Sequence, residues 1–226
     1  MPDLTANIND LVDRMFKAAK NTQRNVDEVA LVAASKTQSV DTIQAAYDCG
    51  LRRFGENYLS EAIEKIPRLP ADIEWHYIGP IQSNKTRQIA TNFDWVHTVD
   101  RAKVIQRLNE QRPDQLAPLK CLIQVNLAGE KQKAGVTENA LNALAEQISA
   151  SPRLRFEGLM IIPKANQGES ALRQDFAKMQ QLLDELQTRF PSAKTLSMGM
   201  SQDFELAIEY GATFVRIGTQ IFGERR

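Results

Sequence analysis

The chain has 226 residues, 28 of them basic and 28 acidic, so its formal charge is zero and it lacks the broad basic footprint of a nucleic-acid binder. At this length, with 42% hydrophobic and 25% charged residues, it buries a full core without a disulfide or metal staple. No apolar run approaches the ~18 residues of a membrane span, and Met1-Pro2-Asp3-Leu4 does not open a signal peptide. The two cysteines, Cys49 and Cys121, are too few for a disulfide framework and read as free thiols in a reducing cytoplasm. With two histidines they are too scattered to show metal-ligand spacing. Pro and Gly are dispersed rather than pooled into a linker, so one domain is expected over residues 1–226.

Leu4, Ile8, Leu11, Val12, Met15 and Ala19 repeat with helical spacing and predict an amphipathic helix that Asn21 and Asn25 end. Val29 to Ser35 is apolar on both faces, as in a buried parallel strand. Ser39 caps a helix running to Cys49, with Gly50 at its C′ position and Leu51 as the following apolar contact. Arg53 to Gly55 reads as a second strand. Tyr58, Ala62, Ile63 and Ile66 form the next helix face, stopped by Pro67. The alternation continues with a strand at 74–78, a helix at 84–90, a strand at 95–99 and a helix marked by Val104, Ile105 and Leu108. Strands follow at 120–125, 156–160, 194–197 and 213–217. Leu141, Leu144 and Ile148 mark the first helix between them, Phe176 to Leu186 the second, and Phe204 to Tyr210, closed by Gly211, the third.

Eight strands alternating with helices require parallel pairing through helical crossovers. A closed (β/α)8 barrel and an open doubly wound sheet both satisfy this. Even spacing, about 28 residues per unit, and the lack of a Gly-rich dinucleotide fingerprint favour the barrel. The expected fold is α/β, a single (β/α)8 TIM barrel with an extra N-terminal helix.

Chemistry in such a barrel sits at the C-terminal ends of the strands. Lys36 follows strand one and shares strand parity with Val32 and Ala34. Partial burial there would favour the neutral, nucleophilic amine; the alternative is a surface lysine just past the strand. Arg216 lies inside an apolar strand, where an unpaired guanidinium costs several kcal/mol. In a closed barrel it lines the same mouth as Lys36, whereas on an open edge it would face solvent. Ser201 is placed to cap a helix starting near Gln202, and Gly218-Thr219 follows strand eight. Barrels often bind phosphate at these two loops, although a plain cap and a plain turn would look alike. Asn57, after Phe54-Gly55-Glu56, offers hydrogen bonds at the rim or a cap for the next helix. His76 and His97 read as satisfied core histidines. Met198 and Met200 read as packing residues near the ligand, Met200 among those that contact it. An amine, a guanidinium, an amide and an anion cradle suit an aldehyde or ketone bearing a phosphate. That means either lysine-held pyridoxal phosphate or a Schiff-base aldolase acting on a sugar phosphate.

The residues Val32-Ala33-Ala34-Ser35-Lys36-Thr37, Phe54-Gly55-Glu56-Asn57-Tyr58 and His76-Tyr77-Ile78-Gly79-Pro80-Ile81-Gln82-Ser83-Asn84-Lys85 carry a resemblance. It continues through Gln124-Val125-Asn126, Gly158-Leu159-Met160, Leu196-Ser197-Met198-Gly199-Met200-Ser201 and Val215-Arg216-Ile217-Gly218-Thr219. Over nearly its whole length the chain resembles the pyridoxal phosphate homeostasis proteins, alanine-racemase-like barrels of fold type III. The resemblance implies that pyridoxal 5′-phosphate is bound, with Lys36 forming the internal aldimine. It implies that Ser201, Gly218 and Thr219 hold the phosphate, Arg216 faces the pyridine nitrogen and Asn57 lies beside the ring. An arginine at that nitrogen weakens the ring as an electron sink. Racemases of this type use a second domain and a second base from a partner subunit. Here nine residues follow Ile217, and no lysine follows Lys194. The expectation is therefore a cytoplasmic, monomeric carrier of the cofactor without robust turnover, exchanging it with apoenzymes and contacting neither nucleic acid nor membrane. The alternative is a pyridoxal-phosphate-dependent amino-acid racemase.

Overall fold

All eight expected strands form, and neighbours in sequence pair in parallel until the last meets the first. The computed structural model describes residues 3–127, 129 and 134–223. The strands are β1 (Ala30–Ala34), β2 (Arg53–Glu56), β3 (Glu74–Tyr77), β4 (Trp95–Val99), β5 (Leu119–Val125), β6 (Leu154–Ile161), β7 (Thr195–Ser197) and β8 (Phe214–Ile217). Closure removes both sheet edges, and it decides between the two architectures that the alternation allowed.

Helix α1 (Leu4–Asn21) precedes the barrel, capped by the Asp3 carboxylate on the Ala6 amide. Helices α2 (Val40–Asp48), α3 (Leu59–Lys65), α4 (Thr86–Asn92), α5 (Ala102–Gln111), α6 (Glu138–Ser149), α7 (Glu169–Gln187) and α8 (Phe204–Glu209) connect successive strands. The end of α2 is as read from sequence. Ser39 Oγ accepts from the Thr42 amide, Gly50 has φ +98°, and the Leu51 amide reaches back to the Ala46 carbonyl. The start of α4 differs, because a single 3-10 turn takes Ser83–Lys85 and delays the α-helix to Thr86.

An element that periodicity did not show, α9 (Thr219–Phe222), follows β8. At four residues it is too short for a hydrophobic repeat, yet it occupies the eighth helix position of the barrel. Helix α1 covers the flank that so short a helix leaves open. Asn7 Nδ2 donates to the Ile221 carbonyl and Arg14 pairs with Glu205 at the start of α8.

Two apolar layers result. Val32, Trp95, Leu122, Met160 and Phe214 fill the barrel interior, and a much larger layer joins the outer strand faces to the helices. The interior positions alternate with outward ones along each strand. Val32 lies inside and Ala33 outside, so position 36, two residues past the end of β1, falls on the inward parity. Among the described residues no helix is long and apolar enough to cross a membrane.

Candidate functional site at the barrel mouth

The turn that carries Lys36 is held by a buried ionic cluster. Ser35, fully buried, donates from Oγ to Glu56 Oε1 at 2.6 Å. Lys65 Nζ on α3 lies 3.3 and 3.4 Å from the two Glu56 oxygens, 3.2 Å from Glu61 Oε2 and 3.4 Å from the Ser35 carbonyl. Glu61 also accepts the Thr37 amide at 3.0 Å. Thr37 has φ +66°, a left-handed conformation that is unfavourable for a β-branched residue. Burial pushes the Glu56 carboxyl upward, against the opposing pull of Ser35 and Lys65. Lys36 is half-buried between these anchors.

Asn57, immediately after β2, is half-buried, and its Oδ1 is a buried acceptor with no donor. Its backbone is pinned by Gly79. A Cβ at position 79 would stand 2.1 Å from the Asn57 carbonyl oxygen, so only glycine fits. The Gly79 carbonyl is itself held by Thr98 Oγ1 at 2.6 Å.

Arg216 is 5% exposed, which excludes the solvent-facing reading. It pairs in register with Val32, inside the mouth on the wall next to β1. Its Nη1 donates to Ser197 Oγ at 2.6 Å and its Nη2 to the Ile161 carbonyl at 2.9 Å. Both acceptors are neutral. Burial lowers the guanidinium to about 10, and the nearby Asp203 carboxylate opposes that shift. Burying a guanidinium without a bonded carboxylate is costly and suits a site completed by an electron-rich ligand.

The loops after β7 and β8 meet as expected, by a different local geometry. Ser201 does not cap a helix. Asp203 takes the N-cap position of α8, and its Oδ1 accepts the Met200 amide while its own amide donates to the Met200 carbonyl. This reciprocal pair closes a tight turn over 200–203 and delays the helix to Phe204, leaving Ser201 on the turn. The Ser201 carbonyl accepts from Gln220 Nε2 at 2.6 Å, which ties this turn to α9. Gly218 is the N-cap of α9 and lies against the end of β1, where an added Cβ would be 3.0 Å from the Ala34 carbonyl oxygen. The first amides of α9, from Thr219, have no acceptor within the helix. Met200, Ser201 and Thr219 border one cleft of about 820 Å³, together with Lys164 and Asp203. Lys36, Asn57, Arg216 and Gly218 do not line this cleft; they stand at the C-terminal ends of β1, β2 and β8.

The alanine racemase N-terminal domain family matches residues 12–226. The chain belongs to this family. Among its relatives are the pyridoxal phosphate homeostasis proteins of Pseudomonas aeruginosa and of Escherichia coli K12. The first is 48% identical over 227 residues, covering 100% of this chain and 97% of that one. The second is 44% identical over 230 residues, covering 100% and 98%. The structure of PipY from Synechococcus elongatus, solved with PLP bound, superimposes with a TM-score of 0.81 at 36% identity, covering 94% of this chain and 99% of that one.

Several residues that shape this mouth are not signalled in the sequence. Ser197 and Asp203 look like an ordinary strand end and an ordinary helix start, and their role appears only once β7 and β8 are adjacent. Glu56 carried a visible signal, an acidic residue at the end of a strand, but it has the outward parity of Phe54, and its partner Lys65 is reached only through the turn into α3. His76 and His97 are satisfied core residues as expected, each hydrogen-bonded through both ring nitrogens.

Proposed function

We propose that this chain binds pyridoxal 5′-phosphate at the barrel mouth and serves as a cellular carrier of it. The carrying observation is Arg216: a buried cation, bonded to neutral oxygens, on the same wall as the Lys36 turn. The unsatisfied Asn57 Oδ1 and the close approach of Gly218 to β1 fit a ligand that supplies a donor and needs a slim wall. Bound there, pyridoxal phosphate supplies an aldehyde that combines reversibly with a primary amine, and a phosphate dianion.

In this reading Lys36 is the amine that meets the aldehyde. Ser201, Gly218 and Thr219 hold the phosphate with hydroxyl and backbone donors, and Met200 packs at its edge. Asn57 flanks the ring, and Arg216 donates toward the ring nitrogen. A donor cation there keeps that nitrogen unprotonated, so the site holds the cofactor without strongly activating a bonded amino acid. Racemisation needs a proton-transfer group on each face of the substrate carbon, and this reading assigns Lys36 alone. The chain then works as a cytoplasmic monomer that exchanges the cofactor with apoenzymes and has no robust turnover. The names of the relatives and the PLP-bound PipY structure support the cofactor.

The test is the visible absorption of the purified protein with added pyridoxal phosphate, before and after borohydride. A new band, fixed by borohydride on Lys36 and absent from Lys36→Ala, is expected. A folded protein that stays colourless would overturn the reading. Sustained Lys36-dependent exchange of α-hydrogens with deuterated water, across a panel of amino acids, would replace the carrier with a racemase.

A further inference from the structure

The two histidines, which the proposed function leaves unused, join Arg216 to the far end of the barrel. Ser197 Oγ, the acceptor of Arg216 Nη1, lies 2.8 Å from His97 Nδ1. His97 Nε2 lies 2.9 Å from His76 Nδ1, and His76 Nε2 lies 3.1 Å from Glu74 Oε1. Glu74 is the first residue of β3 and Ser197 the last of β7, so the chain of bonds runs from the N-terminal end of the barrel to its mouth. Both imidazoles are fully buried. His76 is stacked on Trp95 with 8° between the planes, and His97 on Phe214 with 25°.

The donor directions follow from the two ends. Glu74 is a carboxylate and only accepts, so His76 carries its proton on Nε2. A neutral His76 then accepts at Nδ1, which places the His97 proton on Nε2. A neutral His97 accepts at Nδ1, so the Ser197 hydroxyl donates to it. The Ser197 oxygen is left to accept from Arg216, which only donates. With both rings neutral, this is the one arrangement that makes every bond. Neutrality has independent support, since burial lowers both imidazoles and at His97 the Arg216 charge lowers it further. At Glu74 burial acts upward, whereas the hydrogen bond from His76 and the Lys120 ammonium at 3.2 Å act downward and favour the carboxylate. The charged groups facing the chain are Arg53, Lys120 and Asp94 at its lower end and Arg216 with Asp203 at its upper end.

We infer that Glu74, His76, His97 and Ser197 form a one-way hydrogen-bond relay that positions Arg216, with His97 and Ser197 as positioning residues for the guanidinium. The relay fixes Ser197 Oγ as an acceptor, so Arg216 Nη1 is committed to it. Nη2 is committed to Ile161, and the remaining N–H groups are directed at the ligand. What Arg216 does for the ligand rests on the proposed function, whereas the donor directions do not.

Two measurements separate these. In the ligand-free protein, ¹⁵N-resolved imidazole NMR should show both histidines as neutral Nε2–H tautomers without titration over roughly pH 5.5–8.5. An Nδ1–H tautomer or a titrating ring at either position would overturn the relay. With pyridoxal phosphate added, Ser197→Ala and His97→Phe should each weaken binding about tenfold or more, the scale of a lost hydrogen bond to a charged group. Each should also shift the pH profile of the bound absorption band. Ser197→Ala leaves the aromatic wall intact, so it decides the matter if His97→Phe fails to fold. Wild-type affinity and an unchanged pH profile in folded Ser197→Ala would overturn the positioning role. A wild-type protein that shows the tautomers but binds no pyridoxal phosphate would overturn the proposed function while the relay stands.

Discussion

Replacing Lys65 with Met leaves the Glu56 carboxylate buried without its cation. The Glu56 side chain is 0% exposed and that of Lys65 10%, so solvent screens the pair little. Breaking a buried pair from one side costs about 3–5 kcal/mol. Ser35 still donates its 2.6 Å bond to Glu56 in the variant, and a hydrogen bond to a charged group is worth roughly 1.5–3 kcal/mol. The expected loss is therefore at the low end, about 3 kcal/mol near neutral pH. Glu56 already binds its proton more tightly in the folded chain than in the unfolded one, because burial raises it. Folding stability therefore gains as pH falls through that raised value and is lost as pH rises. Removing Lys65 raises the carboxyl further, so the deficit should be full at about pH 8 and shrink clearly by about pH 5.5. Urea unfolding at both values measures it, with a midpoint shift on the order of 1 M at the higher pH. The double variant Glu56→Gln/Lys65→Met should recover at least half the loss, since an amide oxygen still accepts from Ser35. Equal losses at both pH values, or a double variant no more stable than Lys65→Met, would refute the argument.

Arg112→Met should be among the most destabilising single changes away from the mouth, by about 3–5 kcal/mol in chemical denaturation, because Arg112 is 4% exposed and donates to the carbonyls of Ala90, Phe93 and Ala117. Pyridoxal phosphate binding should survive in whatever fraction folds, and selective loss of binding would contradict this placement. Gly79→Ala should act on the mouth itself. The 2.1 Å approach to the Asn57 carbonyl forces the backbone apart, so binding should weaken by at least about tenfold, the scale of one lost hydrogen bond to a charged group, and a titration showing unchanged affinity would count against Asn57 as a ligand residue. Native-state alkylation at pH 8 should modify Cys49 and spare Cys121, whose thiol burial pushes up to about 12. Mass mapping that finds Cys121 labelled before unfolding would show the barrel opening in that region.

The sequence by itself determined the order, type and approximate bounds of the strands and the larger helices. Each is written in a local period: two-sided apolar runs for the strands, and a repeat near 3.6 for α1 and α7. It also placed Lys36, Arg216, Ser201 and Gly218 at strand ends, because in a parallel barrel chain order sets the end of the strand on which a residue falls. Helix α9 escaped because four residues carry no period. The cap of α8 escaped because Asp203 competes with Ser201 for the same turn, and only the geometry of the Met200 amide decides between them. Which side chains meet across the barrel was left to tertiary structure. Arg216 meets Ser197 because β8 lies beside β7, and His97 meets Ser197 across an interior that only closure creates. A local pattern encodes which face of a strand a residue occupies. It does not encode the residue facing it from a hundred positions away, and at this mouth those pairings hold the guanidinium in place.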